Sequence, residues 1–342
     1  MAKTISLQEL KPGDILLFTP PKEKGYWESL IIALLTKTTV SHSGLMSDKP
    51  GLVLQEVPTG ADELPLPRVG LRKVYVRRLE GEPDTEVVVQ IARKYVDEKL
   101  PYPMSNLAFL GMYMLATDFT PDTIGGSLFI NGLKVASYEL MKLINMHKHP
   151  GTDTPMVCSQ FAAACYDEAA MQCGPQYKIH YNEKVATFRS LLDRIIDQLE
   201  AEEEGKNYSV ALEENHPLLG GELDQDEADT HLQNLADHLD QKQNEPQEQV
   251  LLAKPAKISE ALIASFYQYG KSILKLFGSE KEYPDKKEAS ADDIKSVMEE
   301  LLKIQETFVT PGDLLSHTTN LMDMGTLTYT QDELDAVLGK NA

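Results

Sequence analysis

The sequence predicts an α+β fold in which an antiparallel sheet packs on a central helix, followed by an acidic linker and a helical C-terminal tail. Short β-branched runs separated by turn residues occupy the first 80 residues. A buried helix is expected from residues 154–165, which are Ala-rich and follow a proline. Charge divides the chain, since residues 199–342 hold 30 acidic and 12 basic side chains, nearly all of the net charge of −20. The nearly neutral N-terminal part and the strongly acidic C-terminal part are therefore expected to be structurally distinct regions.

The first strands are predicted from turns and alternation. A turn at residues 11–14 precedes a short strand at 15–18. Residues 38–46 and 51–58 are expected to form an antiparallel pair joined by a turn at 48–51, and residues 69–79 alternate polar and apolar side chains as a strand does. Helical spacing of apolar residues predicts helices at 27–36, 84–100, 106–116, 132–146 and 183–200.

The predicted domain boundaries follow the change in composition. Residues 1–199 form the first domain, and residues 200–255 form a linker that we expect to be disordered, since residues 200–248 hold 15 acidic and 2 basic side chains. Residues 256–342 form the helical tail. Its apolar stripe, which starts at Ile258 and ends at Phe277, predicts a helix that packs on the first domain or on a protein partner.

Composition also excludes several classes of function. An acidic chain lacks the clustered Lys and Arg of a nucleic-acid-binding surface. The longest apolar run, residues 107–116, is too short to span a bilayer, so membrane association is not favoured. The first residues lack the apolar run of a signal peptide, which predicts a cytoplasmic protein. Three cysteines without C-x-x-C spacing indicate neither a disulfide framework nor a metal site.

Cys158 lies where the buried helix is expected to begin. Pro155 suits a first helical turn because its φ is already near the helical value and it has no N–H to lose. The free N–H groups and the positive end of the helix dipole would lower the pKa of the Cys158 thiol. Cys158 is therefore a candidate nucleophile, which needs a base and a group that orients the base.

His42 is the histidine best suited to be that base, with His180 as an outside candidate. It lies mid-strand, and Gly44 leaves room for close approach by another segment or a substrate. The antiparallel pairing would bring Glu56 or Gln55 close to His42. Glu56 is the only ionisable side chain of its strand, so we expect it to orient the imidazole.

The ordered set of motifs resembles the circularly permuted branch of the NlpC-type papain-like hydrolases over residues 8–185. This branch includes the YiiX/YaeF-like amidases and, more distantly, the lecithin:retinol acyltransferase group, and in it the histidine precedes the cysteine. The segments that carry the resemblance are Gly13-Asp14-Ile15, Ser41-His42-Ser43-Gly44-Leu45, Gln55-Glu56, Tyr102 and Cys158-Ser159-Gln160.

The resemblance implies a catalytic triad of Cys158, His42 and Glu56 on a permuted papain-like domain. It places further side chains near the substrate, namely Tyr102, Ser41 and Ser159. The expected activity is cysteine-dependent hydrolysis of an amide bond through a thioester, by an amidase or endopeptidase without metal or cofactor, and peptidoglycan peptides are one candidate substrate.

Two alternatives stay open at this point. The same fold could serve a lipid acyltransferase or thioesterase, with residues 107–116 holding an acyl chain. The chain could also be a structural or interaction protein, for example a component of a larger particle, because it carries a long acidic C-terminal region.

Overall fold

The chain folds into two compact units in a computed structural model. The structure describes residues 3–22, 29, 33, 38–57, 60–81, 83–98, 158–182, 191–202, 206–210, 230, 233–234, 237, 257–276, 288–306 and 309–339. Unit 1 comprises three stretches, Met1–Pro103, Met156–Val185 and Val309–Ala342. Unit 2 comprises Met104–Pro155 and Ala186–Phe308. Both stretches of unit 2 are therefore inserted within the sequence of unit 1.

Unit 1 is built on a seven-stranded sheet with the order β1-β9-β6-β2-β3-β4-β5 among the described residues. The strands are β1 (Thr4–Ser6), β2 (Ile15–Phe18), β3 (His42–Met46), β4 (Leu52–Val57), β5 (Gly60–Pro65), β6 (Val74–Leu79) and β9 (Leu321–Thr328). Only the pairing of β1 with β9 is parallel. The predicted α+β class and the mostly antiparallel sheet are thus confirmed.

The two faces of the sheet bury different side chains. One face carries Leu17, Leu45 and Leu54 and packs under two helices, α1 (Glu86–Asp97) and α2 (Cys158–Cys173). We call it the α2 face. The opposite face carries Phe18, Met46 and Val53 and is covered by Leu334 of α7 (Gln331–Leu338). We call it the α7 face. Because successive strand residues point to opposite faces, these two clusters fix the direction of every side chain between them.

The C-terminal residues of the chain belong to unit 1. They form α6 (Pro311–Ser316), then β9, then α7, and β9 lies between β1 and β6 in the sheet. The predicted helical tail is therefore wrong for residues 321–328, which form a strand, whereas α6 and α7 on either side of it are helices. A strand reveals its partners only in three dimensions, and β9 pairs with strands that lie some 250 to 320 residues earlier in the chain. Thr330 and Glu333 form a reciprocal capping box at the start of α7.

Unit 2 is mainly helical in its described part. It contains α3 (Leu191–Glu200), α4 (Glu260–Leu276) and α5 (Ala291–Glu306), and a two-stranded sheet of β7 (Asn207–Ser209) and β8 (Glu288–Ser290). Residues 207–209 were expected in the disordered linker, and their pairing with β8 corrects that expectation for these residues. The remainder of the linker lies almost entirely outside the described residues.

The apolar stripe that begins at Ile258 is buried inside unit 2. Phe266 and Ile273 of α4 are fully buried. Gly270 allows α5 to approach closely, since a Cβ there would lie 2.6 Å from Val297 and 2.7 Å from Leu301. A protein partner for this stripe stays a prediction, but side chains of the stripe already pack within unit 2, where α5 lies against Gly270.

Several predicted segments lie outside the described residues, namely most of the helix at 27–36 and the helices at 106–116 and 132–146, together with Tyr102. None of the helices in the described part of the chain is long and apolar enough to cross a membrane.

Candidate functional site

His42 is the first residue of β3 and forms a short hydrogen bond with Gln55 of β4. The distance from His42 Nε2 to Gln55 Oε1 is 2.6 Å. The partly exposed imidazole ring lies on the α7 face, 5.5 Å from the ring of Phe18. Gly44 makes this pair possible, because a Cβ at residue 44 would lie 2.6 Å from Val53 and 3.0 Å from the Cβ of Gln55. The glycine thus frees the space through which Gln55 reaches His42.

The hydrogen bond to Gln55 selects one tautomer of His42. An amide oxygen can only accept, so Nε2 must carry the proton and Nδ1 must carry the lone pair. The pKa of His42 is lowered to about 4, chiefly by burial and to a smaller extent by the charge of Arg72, while the hydrogen bond to Gln55 acts in the opposite direction. At neutral pH the imidazole is therefore uncharged, with Nδ1 able to accept a proton.

Glu56 does not orient His42, so the expected triad is corrected at this position. Glu56 follows Gln55 in the strand, and it consequently points to the α2 face while Gln55 and His42 point to the α7 face. It is only 3% exposed, and burial raises the pKa of its carboxyl to about 8. Ser43 also points to the α2 face, where its hydroxyl is buried and has no hydrogen-bond partner among the described residues.

Cys158 is the first residue of α2 in the described part of the chain, and the residues just before it lie outside that part. The contacts of its side chain lie outside the described residues. The direction of α2 can still be derived from its other residues. The hydroxyl of Tyr166 donates to the backbone oxygen of Gly13, just before β2, at 2.7 Å. The middle of α2 therefore lies near the residues at which β2 begins.

The beginning of α2 lies toward the other end of the sheet, where β2 ends and β3 begins. Ser159 donates its hydroxyl hydrogen to the backbone oxygen of Val309 at 2.6 Å. Three residues later, Gly312 is packed against Thr38, since a Cβ on Gly312 would overlap Thr38 Cγ2. Thr38 precedes His42 by four residues. The start of α2 and the start of β3 are thus brought to the same end of unit 1, with the ring of His42 on the α7 face.

The residues expected to contact substrate are placed differently from the prediction. Ser159 is fully buried and its hydroxyl is used by Val309, which leaves it no surface for a substrate. Ser41 is 3% exposed, and its hydroxyl has no hydrogen-bond partner in the described part of the chain. Tyr102 lies outside the described residues.

The other two cysteines differ from each other in exposure. Cys165 of α2 is fully buried, and burial raises the pKa of its thiol well above the usual value, with Glu168 and Glu56 acting in the same direction. Cys173, at the end of α2, is exposed. Cys165 thus occupies a core position, and Cys173 is the accessible thiol with which Cys158 can be compared.

The residue that the prediction placed second is the one that binds His42. The sequence allows either Gln55 or Glu56 to lie beside His42, and the ionisable side chain of Glu56 favours Glu56 as the residue that orients the imidazole. Alternation along β4 puts Gln55 on the same face as Val53. Val53 packs against Gly44, which shares a face of β3 with His42, so Gln55 and His42 lie on the same face of the sheet. Comparison with protein-family models gives no match for this chain, and comparison with curated proteins gives none either.

Proposed function

We propose that this chain is a cysteine-dependent hydrolase of the permuted papain-like kind that cleaves an amide bond. Cys158 is the nucleophile, His42 is the general base and acid, and Gln55 replaces Glu56 as the residue that orients the imidazole. The observation that carries the proposal is the hydrogen bond of 2.6 Å between His42 and Gln55. It leaves Nδ1 of a neutral imidazole as the proton acceptor, which is the state a general base requires.

The position of Cys158 supports the proposal from the other side. A cysteine at the start of a helix of 16 residues experiences the positive end of the dipole, which favours the thiolate. The start of α2 and the start of β3 occupy the same end of unit 1, as the contacts of Ser159 and Gly312 indicate. Because the ring of His42 lies on the α7 face, Cys158 and His42 would meet around the end of β3 and not across the face of the sheet.

The reaction follows from these roles. The thiol of Cys158 gives its proton to Nδ1 of His42, and the sulfur attacks the carbonyl carbon of the amide. The backbone N–H of Cys158 donates to the oxyanion that forms. The C–N bond then breaks as the imidazolium returns its proton to the amine, leaving a thioester. Water loses a proton to His42 and attacks the thioester, which releases the acid and restores the thiol.

The rate of iodoacetamide labelling as a function of pH tests the proposal, with the labelled residue located by mass spectrometry. We expect Cys158 to label with a midpoint well below the ~8.5 of a free cysteine. Cys173 supplies the reference within the same chain because it is exposed. His42→Ala and Gln55→Ala should both move the Cys158 midpoint upward, whereas Glu56→Gln should leave it in place because Glu56 does not contact His42.

The outcomes separate the proposal from its alternatives. Equal midpoints for Cys158 and Cys173 would refute the cysteine hydrolase and favour an interaction protein. If Glu56→Gln moved the midpoint and Gln55→Ala did not, the triad first expected from the sequence would replace the present one. If the dyad holds, peptidoglycan peptides are the first substrates to test, and lipid that copurifies with the protein would instead indicate an acyltransferase or thioesterase.

A further inference from the structure

Residues 309–320 contact α2 and the residues after it at two separate places, and we call them the α2 brace. At the start of α2, the backbone oxygen of Val309 accepts the hydroxyl hydrogen of Ser159 at 2.6 Å. Beyond the end of α2, the side chain of Asn320 binds the backbone twice, as acceptor from His180 N and as donor to Lys178 O, each at 2.8 Å. The brace therefore spans the whole helix.

The residues of the brace between these two contacts are themselves held firmly. Thr310 and Asp313 form a reciprocal capping box at the start of α6, with distances of 2.8 and 3.0 Å. The backbone oxygen of Leu315 accepts two hydrogen bonds from the guanidinium of Arg77 on β6, at 2.9 and 2.6 Å. The α2 brace is thus bonded both to β6 and to α2, so it holds the start of α2 in a fixed position relative to the sheet.

Ser159 is the point at which the brace acts on the candidate nucleophile. It is adjacent to Cys158 in sequence and is fully buried. The hydrogen bond between Ser159 and Val309 is part-buried, and its loss would leave the carbonyl of Val309 without this donor. A change at this contact should therefore loosen the first turn of α2, which supplies the N–H groups that favour a thiolate.

We propose that the α2 brace positions the nucleophile, with Ser159 as the positioning residue, so that residues 309–320 are part of the functional site although they follow Cys158 by some 150 residues. The role of Cys158 in this inference rests on the proposed function. The holding of α2 by the brace does not depend on it, and the two parts can be tested separately.

Amide hydrogen exchange of the full-length protein tests the holding of α2, in the parent and in Ser159→Ala. Loss of one part-buried hydrogen bond should speed exchange about fivefold in the first turn of α2, read at the amides of residues 162–165, which are the ones that bond back to that turn. Thr328→Val is the matched control, since it removes a side-chain hydrogen bond to the backbone of Ile5 at the far edge of the sheet, and it should leave the first turn of α2 unchanged. Asn320→Ala should instead speed exchange at residues 178–182.

Iodoacetamide labelling of the same variants tests the consequence for Cys158. In Ser159→Ala the labelling midpoint should rise toward that of a free cysteine, and in Thr328→Val it should stay at the parent value. Unchanged exchange in the first turn of α2 in Ser159→Ala would overturn the brace. Faster exchange with an unchanged low midpoint would overturn the positioning role. A parent midpoint equal to that of Cys173 would refute the proposed function while the exchange result still decides the holding role.

Discussion

Replacing Glu56 by Gln should stabilise the protein at high pH and leave it nearly unchanged at pH 5. Glu56 is buried on the α2 face, and burial raises the pKa of its carboxyl from 4.5 to about 8. The folded protein therefore keeps a proton that the unfolded chain releases above pH 4.5. Glu56 therefore makes its full contribution to the free energy of unfolding below pH 4.5, and this contribution is lost as the pH rises to about 8.

The size of the effect follows from the two pKa values. At about 1.4 kcal/mol for each tenfold change in proton affinity, the loss reaches about 5 kcal/mol above pH 8, as an upper value. At pH 7, within this window, it is about 3 kcal/mol, and at pH 5 it is less than about 1 kcal/mol. Gln has nearly the same shape and does not ionise, so Glu56→Gln removes the pH-dependent part alone. The thiol of Cys165, which faces Glu56 from α2, is itself kept neutral by burial.

Urea unfolding followed by circular dichroism at pH 5, 7 and 9 measures the effect. The difference in free energy of unfolding between Glu56→Gln and the parent should grow in favour of the variant across this range. Glu80→Gln is the matched control, because Glu80 is exposed directly after β6 and its loss removes the same charge. A difference for Glu56→Gln that is the same at all three pH values would show that Glu56 titrates normally and would refute the reasoning.

Three further variants test the site and the sheet. Burial lowers the pKa of His42 to about 4, so the parent protein should lose free energy of unfolding as pH falls from 6.5 to 4, and His42→Gln should remove this loss. The ring is partly exposed, which reduces the expected effect to about 2 kcal/mol. Urea unfolding at pH 7 and 4.5 measures it. Arg78→Ala should cost about 3–5 kcal/mol in urea unfolding, because it leaves the buried carboxylate of Asp14, now 2.7 Å from the guanidinium, without its partner; a cost below 1 kcal/mol would contradict this. Gly44→Ala should cost about 1–3 kcal/mol through the contact of its Cβ with Val53, and an unchanged urea midpoint would show that β4 can yield.

Local signals in the sequence were sufficient for most of unit 1. The turn before Ile15, the pairing of β3 with β4 and the helix that begins with Cys158 are all found where turn residues and periodicity predicted them. Each of these depends on residues within about twenty positions of one another. The helix at 84–100 is likewise found at Glu86–Asp97.

Long-range pairing limited the rest of the prediction. Residues 321–328 contain Asp323 and Gly325 and have a weak strand pattern, and their place in the sheet depends on β1 and β6 at the other end of the chain. In the site, the choice between Gln55 and Glu56 required knowing which face of β4 meets His42. Ionisability favoured Glu56, whereas the geometry of the strand favoured Gln55. The contact of Ser159 with Val309 spans 150 residues and has no local signal.

The pairing of β1 with β9 has a consequence for the order in which the protein is made. Thr4 is synthesised long before its partner, Thr326, so β1 stays without β9 until that residue has been made. Before β9 is made, β6 is paired only on its β2 side. Before Val309 is made, Ser159 of α2 lacks the carbonyl that accepts its hydroxyl hydrogen. A growing chain can thus form unit 2 before unit 1 is closed. Under the proposed function, the contact that positions Cys158 becomes available only after Val309 has been translated, some 150 residues after the nucleophile itself.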